Sequence, residues 1–234
     1  MSTIHWLSAD TAPDAFPDPQ AALREPDGLL AAGGDLSPER LLAAYRKGIF
    51  PWYEEGQPIL WWSPNPRTVL YVDGMHVSRS LRRTLRRRTF SVTMDESFAD
   101  VMTACARRGD PHGGTWITRD MCTAFERLFE LGHAHSVECW RNGTLAGGVY
   151  GLALGRVFFG ESMFSRHSDA SKIALYTLLE FLRARDFVFM DCQVASPHLT
   201  SLGAVRLPRR KFVAALAEHA SGPLVPGRWR YPCE

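Results

Sequence analysis

Three polar residues lie inside two otherwise apolar stretches of the chain. Glu161 interrupts the first stretch, and Asp191 and Gln193 lie in the second, one predicted helix further along. Side chains of a strand alternate with period two, so we expect Phe189, Asp191 and Gln193 to share one face. A buried carboxylate without a partner is costly, so Glu161 and Asp191 need either structural partners or a ligand. Three such groups on two core strands favour a catalytic or binding site.

A second chemical feature is an unusually basic helix predicted over residues 78–88. Most of its arginines recur three and four residues apart, so they line one helical face. They are Arg79, Arg82, Arg83, Arg86, Arg87 and Arg88. Stacked like charges repel, and no acidic residue between Met75 and Met94 offsets them. The face is either simply solvated or binds a phosphate backbone, and we favour nucleic acid recognised through phosphates rather than bases.

Aromatic residues form a third candidate feature. They crowd one short stretch, as Tyr45, Phe50, Trp52, Tyr53, Trp61 and Trp62, and Trp116 stands in a glycine-rich turn over 113–116. Most of these rings are expected to be core, because large aromatic side chains are usually buried. Trp52 and Trp116 flank predicted loops, where a flat ring face would suit a cationic side chain.

The order of the predicted elements indicates how these residues are positioned. Residues 1–65 are rich in Pro, Gly and Trp and predict a small N-terminal domain, with a helix between Ser37 and Gly48. Residues 66–234 alternate strands and helices and predict an α/β (α+β) mixed-sheet domain. Its predicted elements are a strand over 68–72, helices over 78–88, 95–107 and 118–131, strands over 136–141, 145–154 and 157–165, a helix over 171–185, a strand over 187–194 and a helix over 209–220. Asn142-Gly143 predicts a hairpin between the first two of the three successive strands.

The composition narrows the class of protein. The chain has 234 residues, 45% apolar and 22% charged, with a net charge of +2, which is ordinary for a folded protein. Its five cysteines are scattered singly, so they predict neither a zinc site nor a disulfide framework and indicate a reducing compartment. The first residues contain neither a basic leader nor a long apolar run. We therefore expect a cytoplasmic protein that does not associate with a membrane.

With these residues in view, the chain resembles the leucyl/phenylalanyl-tRNA-protein transferase family over residues 16–212. The motifs that carry the resemblance are EPDGLL at 25–30, GGDLS at 33–37, GIFPW at 48–52, WWSP at 61–64, GTWIT at 114–118, GHAHS at 132–136, GESMFS at 160–165, DCQ at 191–193 and SLGA at 201–204. The resemblance implies a C-terminal domain of N-acetyltransferase-like (GNAT) fold. It also implies transfer of Leu or Phe, with Met a further candidate, from aminoacyl-tRNA to proteins that begin with Arg or Lys. Such proteins would then enter N-degron degradation.

The resemblance places the catalytic pair on Asp191 and Gln193. An aminoacyl ester is already activated, so we expect no ATP, metal or other cofactor, and positioning should dominate. The amide of Gln193 is too weak a base to remove a proton, so we expect it to orient the attacking amine. We expect Asp191 to polarise that network or take charge, while Glu161 holds the ammonium of the donor amino acid.

Further residues are candidate contacts for the two substrates. We expect Phe158, Val149 and Leu178 to form walls for a side chain that is unbranched at Cβ. The other candidate substrate contacts are Trp52, Trp116, Tyr45, Ser162 and Met163. Arg79, Arg82, Arg83, Arg86 and Arg87 should contact the acceptor stem and 3′ end of the tRNA. We expect the protein to act as a monomer.

Two other functions are compatible with parts of this pattern. An acyl-CoA-dependent N-acetyltransferase could share the fold, but such enzymes bind pyrophosphate at a glycine-rich turn that opens a helix. Here residues 166–171 precede the helix, contain no glycine and include an acidic residue, which disfavours CoA. A non-catalytic RNA-binding module would explain the arginines but would leave Glu161, Asp191 and Gln193 without a purpose.

Overall fold

The computed structural model describes residues 4–8, 10–107, 116–222 and 226–231. Within these ranges the chain forms eleven strands in two sheets and seven α helices. The predicted mixed α/β class is confirmed. None of the described helices is long and apolar enough to cross a membrane.

The smaller sheet is built from the N-terminal part of the chain. It has the order β1-β2-β4-β3, with β1 at His5–Leu7, β2 at Leu29–Gly33, β3 at Phe50–Pro51 and β4 at Leu60–Trp62. Helix α1, Pro38–Arg46, is capped by Ser37, whose hydroxyl accepts the Arg40 amide. Gly48 has a φ of +76°, a conformation that favours glycine, and it turns the chain from α1 into β3.

The larger sheet has seven strands in the order β11-β5-β10-β9-β8-β7-β6. They are β5 at Arg67–Tyr71, β6 at Ser91–Met94, β7 at Ala134–Arg141, β8 at Thr144–Leu154, β9 at Val157–Ser165, β10 at Phe189–Asp191 and β11 at Val205–Leu207. Neighbouring strands are antiparallel except β9 and β10, which run parallel. The predicted hairpin turn at Asn142-Gly143 is confirmed, since both residues have positive φ, as the tight turn between β7 and β8 requires.

Six helices accompany this sheet. They are α2 at Arg79–Arg87, α3 at Phe98–Ala106, α4 at Arg119–Glu130, α5 at Ala170–Arg183, α6 at Pro197–Ser201 and α7 at Arg209–His219. Helix α5 makes the crossover between the parallel strands β9 and β10 and is largely buried. One core cluster contains Tyr45 and Trp61 from the N-terminal part together with Phe159 and Phe212. The two sheets therefore share a core, and the domain boundary at residue 65 stays a prediction.

Two predicted elements differ from the structure, and further short elements were not predicted. The helix expected from residue 95 begins at Phe98, because Asp95 has a φ of +58° and its carboxylate accepts the amide of Ser136. The strand expected over 187–194 is reduced to Phe189–Asp191. The short elements α6 and β11 carry too few residues for a hydrophobic period to show, and the sequence did not predict them.

Candidate functional site

The parallel pairing of β9 and β10 brings two of the predicted polar residues together. In this register Phe159 lies opposite Asp191, which is the last residue of β10. Glu161 and Gln193 each follow that pair by two residues. Their side chains meet where the two strands separate, with Gln193 Nε2 at 3.5 Å from Glu161 Oε1.

A β-bulge directs the side chain of Glu161. Strand β9 pairs with β8 as Gly151 with Gly160 and Tyr150 with Ser162, so Glu161 is an extra residue without a partner. A bulge of this kind bends the strand and re-aims the side chain of the extra residue. Gly151 is required opposite the bulge, because a Cβ there would collide with the carbonyl oxygen of Phe159.

Gln193 lies beyond the end of the strand, in a turn held by main-chain hydrogen bonds. Its φ of +54° is in the left-handed region, so the prediction that it shares a strand face with Phe189 and Asp191 is wrong. The Gln193 amide donates to Asp191 Oδ1 at 3.0 Å, and its carbonyl oxygen accepts the amide of Thr68 at 3.0 Å. Asp191 caps the turn as Asp side chains commonly do, and a left-handed residue cannot continue a strand.

Asp191 is fully buried and paired with Arg67, a residue that the sequence analysis missed. Arg67 Nε donates to Oδ1 at 2.8 Å and Nη2 to Oδ2 at 2.6 Å, and both side chains have 0% exposure. The third guanidinium nitrogen donates to the carbonyl oxygen of Gly48 at 3.1 Å, and the rings of Phe50 and Phe212 lie 4.7 Å from the guanidinium carbon. Asp191 therefore contacts Gln193 through the backbone amide and lines neither of the two cavities described below.

Burial perturbs the carboxyl group of Glu161. Desolvation raises its pKa to about 8, an effect that the hydrogen bond from Tyr45 and the charge of Arg67 only partly offset. The Tyr45 hydroxyl donates to Glu161 Oε1 at 2.8 Å. Tyr45 itself has 0% exposure and packs edge-on against Phe159, and desolvation raises its pKa well above its usual value. Glu161 can thus gain or lose a proton near neutral pH.

Two cavities meet at these residues. The first, about 150 Å³, is lined by Phe50, Pro51, Trp52, Trp116, Glu161, Cys192, Gln193 and Val194. The second, about 380 Å³, is lined by Trp116, Val149, Gly160, Glu161, Ser162, Met163, Met190, Cys192, Gln193, Ser196, His198 and Leu199. Four residues are common to both, namely Trp116, Glu161, Cys192 and Gln193. The carboxylate and the amide therefore face both cavities.

Most of the predicted substrate contacts reach these cavities, and three do not. Trp52 lines the first cavity, Val149, Ser162 and Met163 line the second, and Trp116 lines both. Residues 113–115 of the predicted glycine-rich turn lie outside the described residues. Phe158 and Leu178 have exposures of 1% and 0% and belong to the core cluster between α5 and the sheet, so neither lines a cavity and their contact with a substrate stays a prediction. Tyr45 reaches the site only through Glu161.

The sequence analysis also missed part of the lining. Met190, Ser196, His198 and Leu199 line the second cavity, and Leu199 belongs to α6, which was not predicted. The motif DCQ was the available signal, because Ser196, His198 and Leu199 follow it within six residues. Among the residues described, no group of three or more His, Cys, Asp or Glu side chains could hold a metal ion.

The basic helix α2 is linked, through the segment before it, to α6, which contributes His198 and Leu199 to the lining of the second cavity. The segment before α2 is joined to α6 by a hydrogen bond from the His76 amide to the Leu202 carbonyl oxygen, at 2.9 Å. Arg79, Arg82, Arg83, Arg86 and Arg87 are all exposed, and Leu81 is the residue of the helix that is buried. Within the described ranges none of these arginines forms an ion pair.

Comparisons with known proteins agree on one family. The profile described as "Leucyl/phenylalanyl-tRNA protein transferase" matches residues 69–217, and the profile of its N-terminal domain matches residues 34–65. A leucyl/phenylalanyl-tRNA–protein transferase from Aromatoleum aromaticum is 58% identical over 97% of this chain and 94% of its own length. One from Stutzerimonas stutzeri is 57% identical over 94% of this chain and 96% of its own length.

Solved structures with a related fold are more distant. L-PGS from Bacillus licheniformis matches 72% of this chain and 54% of its own, with 9% identity and a TM-score of 0.40. A ribosomal-protein-alanine N-acetyltransferase from Brucella melitensis matches 61% of this chain and 100% of its own, with 14% identity and a TM-score of 0.36. Similarity at this level carries no functional conclusion.

Proposed function

The chain belongs to the leucyl/phenylalanyl-tRNA-protein transferase family, and we propose that it transfers Leu or Phe from aminoacyl-tRNA to the N-terminal α-amine of proteins that begin with Arg or Lys. It is an aminoacyltransferase by that membership. The observation that supports the detailed proposal is the wall common to the two cavities. Two substrates bound one on each side of Glu161 and Gln193 would bring their reacting atoms together at that wall.

The second cavity suits the donor amino acid. Its apolar lining comes from Val149, Met163, Met190 and Leu199, and flexible methionine side chains adapt to ligands of different shape. Leu and Phe, and also Met, are unbranched at Cβ and would enter such a cavity more easily than Val or Ile. The ammonium of the donor would lie against Glu161, whose carboxyl group would ionise as the positive charge arrives.

The first cavity suits the N-terminal residue of the acceptor protein. Its lining is aromatic, with Phe50, Trp52 and Trp116, and Trp52 keeps 43% of its surface exposed. A guanidinium or ammonium group is attracted to the face of such a ring. An N-terminal Arg or Lys would place its side chain there and its α-amine towards Gln193.

The chemistry requires only that the amine and the ester meet correctly. The acceptor nitrogen forms a bond to the ester carbonyl carbon, the bond from that carbon to the ribose oxygen breaks, and the amine proton ends on the released ribose hydroxyl. An α-amine has a pKa of roughly 7.7 to 8.0, so a useful fraction is already neutral near pH 7. Gln193 donates through Nε2 to Glu161, and among the described residues no partner occupies its Oε1, which would accept a hydrogen bond from the attacking amine.

Asp191 is a positioning residue in this proposal. Its charge is neutralised by Arg67, and its contact with Gln193 is through the backbone amide. It would hold the left-handed turn that aims the Gln193 side chain at the ester. The arginines of α2 would bind phosphates of the acceptor stem, since the segment before α2 is hydrogen-bonded to the end of α6, which lines the donor cavity. A cytoplasmic location, action as a monomer and a role in N-degron degradation remain predictions.

Peptide modification assays test this function. Phe-tRNA should label a peptide that begins with Arg or Lys, should not label the same peptide after N-acetylation, and should label an Ala-initiated control poorly. Gln193→Ala should reduce labelling strongly. Transfer of acetyl from acetyl-CoA to the same peptides, or the absence of labelling by charged tRNA, would contradict the proposal.

A further inference from the structure

The loop between β9 and α5 is a basic segment that directly follows the strand carrying Glu161. Strand β9 carries Glu161 and Met163 in the cavity wall and ends at Ser165, and Arg166 and His167 follow directly. At about 3.3 Å per residue, Ser165 lies only ~7 Å beyond Met163. The side chains of Arg166 and His167 are exposed.

Contacts join this loop to the tip of the β7-β8 hairpin and to α2. Arg141, at the tip, has Nη1 3.4 Å from His167 Nδ1, and its guanidinium lies 6.0 Å from the centre of the Phe90 ring, which follows α2. The Thr84 hydroxyl of α2 donates to Asp169 Oδ2 at 3.0 Å. The hairpin tip, the loop and α2 therefore form one continuous surface, which we call the basic strip.

The net charge of the basic strip is positive despite one acidic residue in it. Asp169 is largely buried, and its two oxygens are taken by the Thr84 hydroxyl and by Lys172 Nζ at 3.1 Å. In the part of the chain that the structure describes, neither Arg141 nor Arg166 forms an ion pair. Arg166 is held in place by the Leu145 carbonyl oxygen at 3.2 Å and by the Phe164 ring at 5.4 Å.

We propose that Arg141 and Arg166 bind phosphates of the single-stranded 3′ end of the tRNA, between the aminoacyl group and the stem held by α2. This inference rests on the proposed function and extends it to residues that the sequence analysis did not assign. The same segment lacks the glycine-rich turn that a CoA pyrophosphate would need. Exposed guanidinium groups supply phosphate binding there by a different means, since planar guanidinium matches phosphate geometry.

Five variants separate charge from packing. Arg141→Gln and Arg166→Gln, singly and together, remove the charge and keep a polar, unbranched side chain. Arg166→Lys keeps the charge. Arg183→Gln is the matched control. Arg183 is 56% exposed at the opposite end of α5, and its replacement removes the same unit of charge.

Binding is measured with an uncharged acceptor-stem minihelix that ends in a single-stranded CCA, from about 0.05 to about 0.3 M salt. Each arginine lost should make the slope of log affinity against log salt shallower by about 0.7, the value for single strands. We assume that the contact contributes nothing to affinity at about 1 M salt. Over the tenfold range down to about 0.1 M, a slope of about 0.7 then predicts about fivefold weaker binding for each arginine removed. Arg166→Lys should retain most of the parent slope, and Arg183→Gln all of it.

Two donors then separate this inference from the proposed function. Transfer from the Phe-charged minihelix should fall with binding, whereas transfer from 3′-O-phenylalanyl adenosine, which has no phosphate, should be unchanged. Slopes of the Gln variants equal to those of the parent and of Arg183→Gln would overturn the inference, as would equal losses with both donors. If the parent transfers Phe from neither donor, the proposed function fails, while the binding slopes still decide the role of the two arginines.

Discussion

Replacing Glu161 by Gln should stabilise the protein while it impairs the reaction. The carboxyl group has a pKa of about 8 in the folded chain, raised by burial from 4.5. Glutamine has nearly the same shape, keeps an oxygen to accept the hydrogen bond from Tyr45, and cannot ionise. A charged residue that lowers the stability of the fold but supports activity is typical of a functional site.

The sign and size of the effect follow from proton linkage. A raised pKa means that the folded state binds the proton more tightly than the unfolded state does. The stability that the protonated Glu161 side chain contributes is therefore fully present below pH 4.5. It is lost progressively until the pH passes about 8. At about 1.36 kcal/mol per pKa unit the full loss is at most about 5 kcal/mol, and access of solvent from the two cavities reduces this to roughly 2 to 3 kcal/mol.

Melting temperatures at two pH values measure the effect. At about pH 4 the parent and Glu161→Gln should melt within a degree or so of each other, because the carboxyl group is then mostly protonated in both the folded and the unfolded state. At about pH 8.5 the variant should melt roughly 5 to 10 °C higher, at about 2 to 4 °C per kcal/mol for a chain of this size. Glu180→Gln is the control, since Glu180 lies on the surface in an ion pair with Arg183, and its variant should show no such gain at high pH.

Activity is measured on the same samples. Transfer from Phe-tRNA should fall in Glu161→Gln, and the loss should be smaller with an N-acetylated donor, which has no ammonium to hold. A variant that melts lower than the parent at about pH 8.5, or whose difference from the parent is the same at both pH values, would refute the assignment of a strained, functional carboxylate.

Three further predictions concern chemistry, RNA binding and donor choice. Gln193→Ala should lower turnover with little change in KM for tRNA and in melting temperature, because it truncates a side chain at a cavity wall. Asp191→Asn should lower turnover too but should also destabilise the fold by about 3 to 5 kcal/mol, since it leaves the buried Arg67 guanidinium without its charged partner. Additive effects on turnover when Asp191→Asn and Gln193→Ala are combined would contradict a shared role. Replacing Arg79, Arg83 and Arg87 by Ala should raise KM for tRNA and make the salt slope shallower by about 0.9 per contact, and an unchanged slope would contradict phosphate binding. Valine on its own tRNA should be a poorer donor than Leu by about 1 to 3 kcal/mol in kcat/KM, and equal use of the two would contradict the cavity assignment.

Features that depend on a few neighbouring residues were predictable from the sequence. Ser37, Ser78 and Thr118 each cap the helix that follows them, because a cap requires only a hydroxyl three residues before an amide. The Asn142-Gly143 turn joins two strands of the same sheet for an equally local reason. The basic helix and its exposed face also follow from spacing alone. The family was predictable as well, because long sequence motifs can be compared without any knowledge of how the chain packs.

Burial was predictable, but the direction of a buried side chain was not. Phe158, Val149 and Leu178 are all buried, as their apolar surroundings indicate, yet Val149 alone among them lines a cavity. Periodicity identifies the face of an element that leaves water and contains no information on whether that face meets a neighbour or a void. A contact of Phe158 and Leu178 with the donor side chain stays a prediction for that reason.

The residues that shape the reaction site are far apart in the chain, and only the tertiary structure decided how they meet. Arg67 is 124 residues from Asp191, and Tyr45 is 116 residues from Glu161. The bulge that aims Glu161 depends on its pairing with β8, and the turn at Gln193 depends on Asp191 and Thr68. Local sequence determined which elements form and which residues carry charge, because those properties arise within a few residues. Partner choice, strand register and the meeting of two cavities arise from packing across the whole chain, where a one-residue change of register would redirect every side chain.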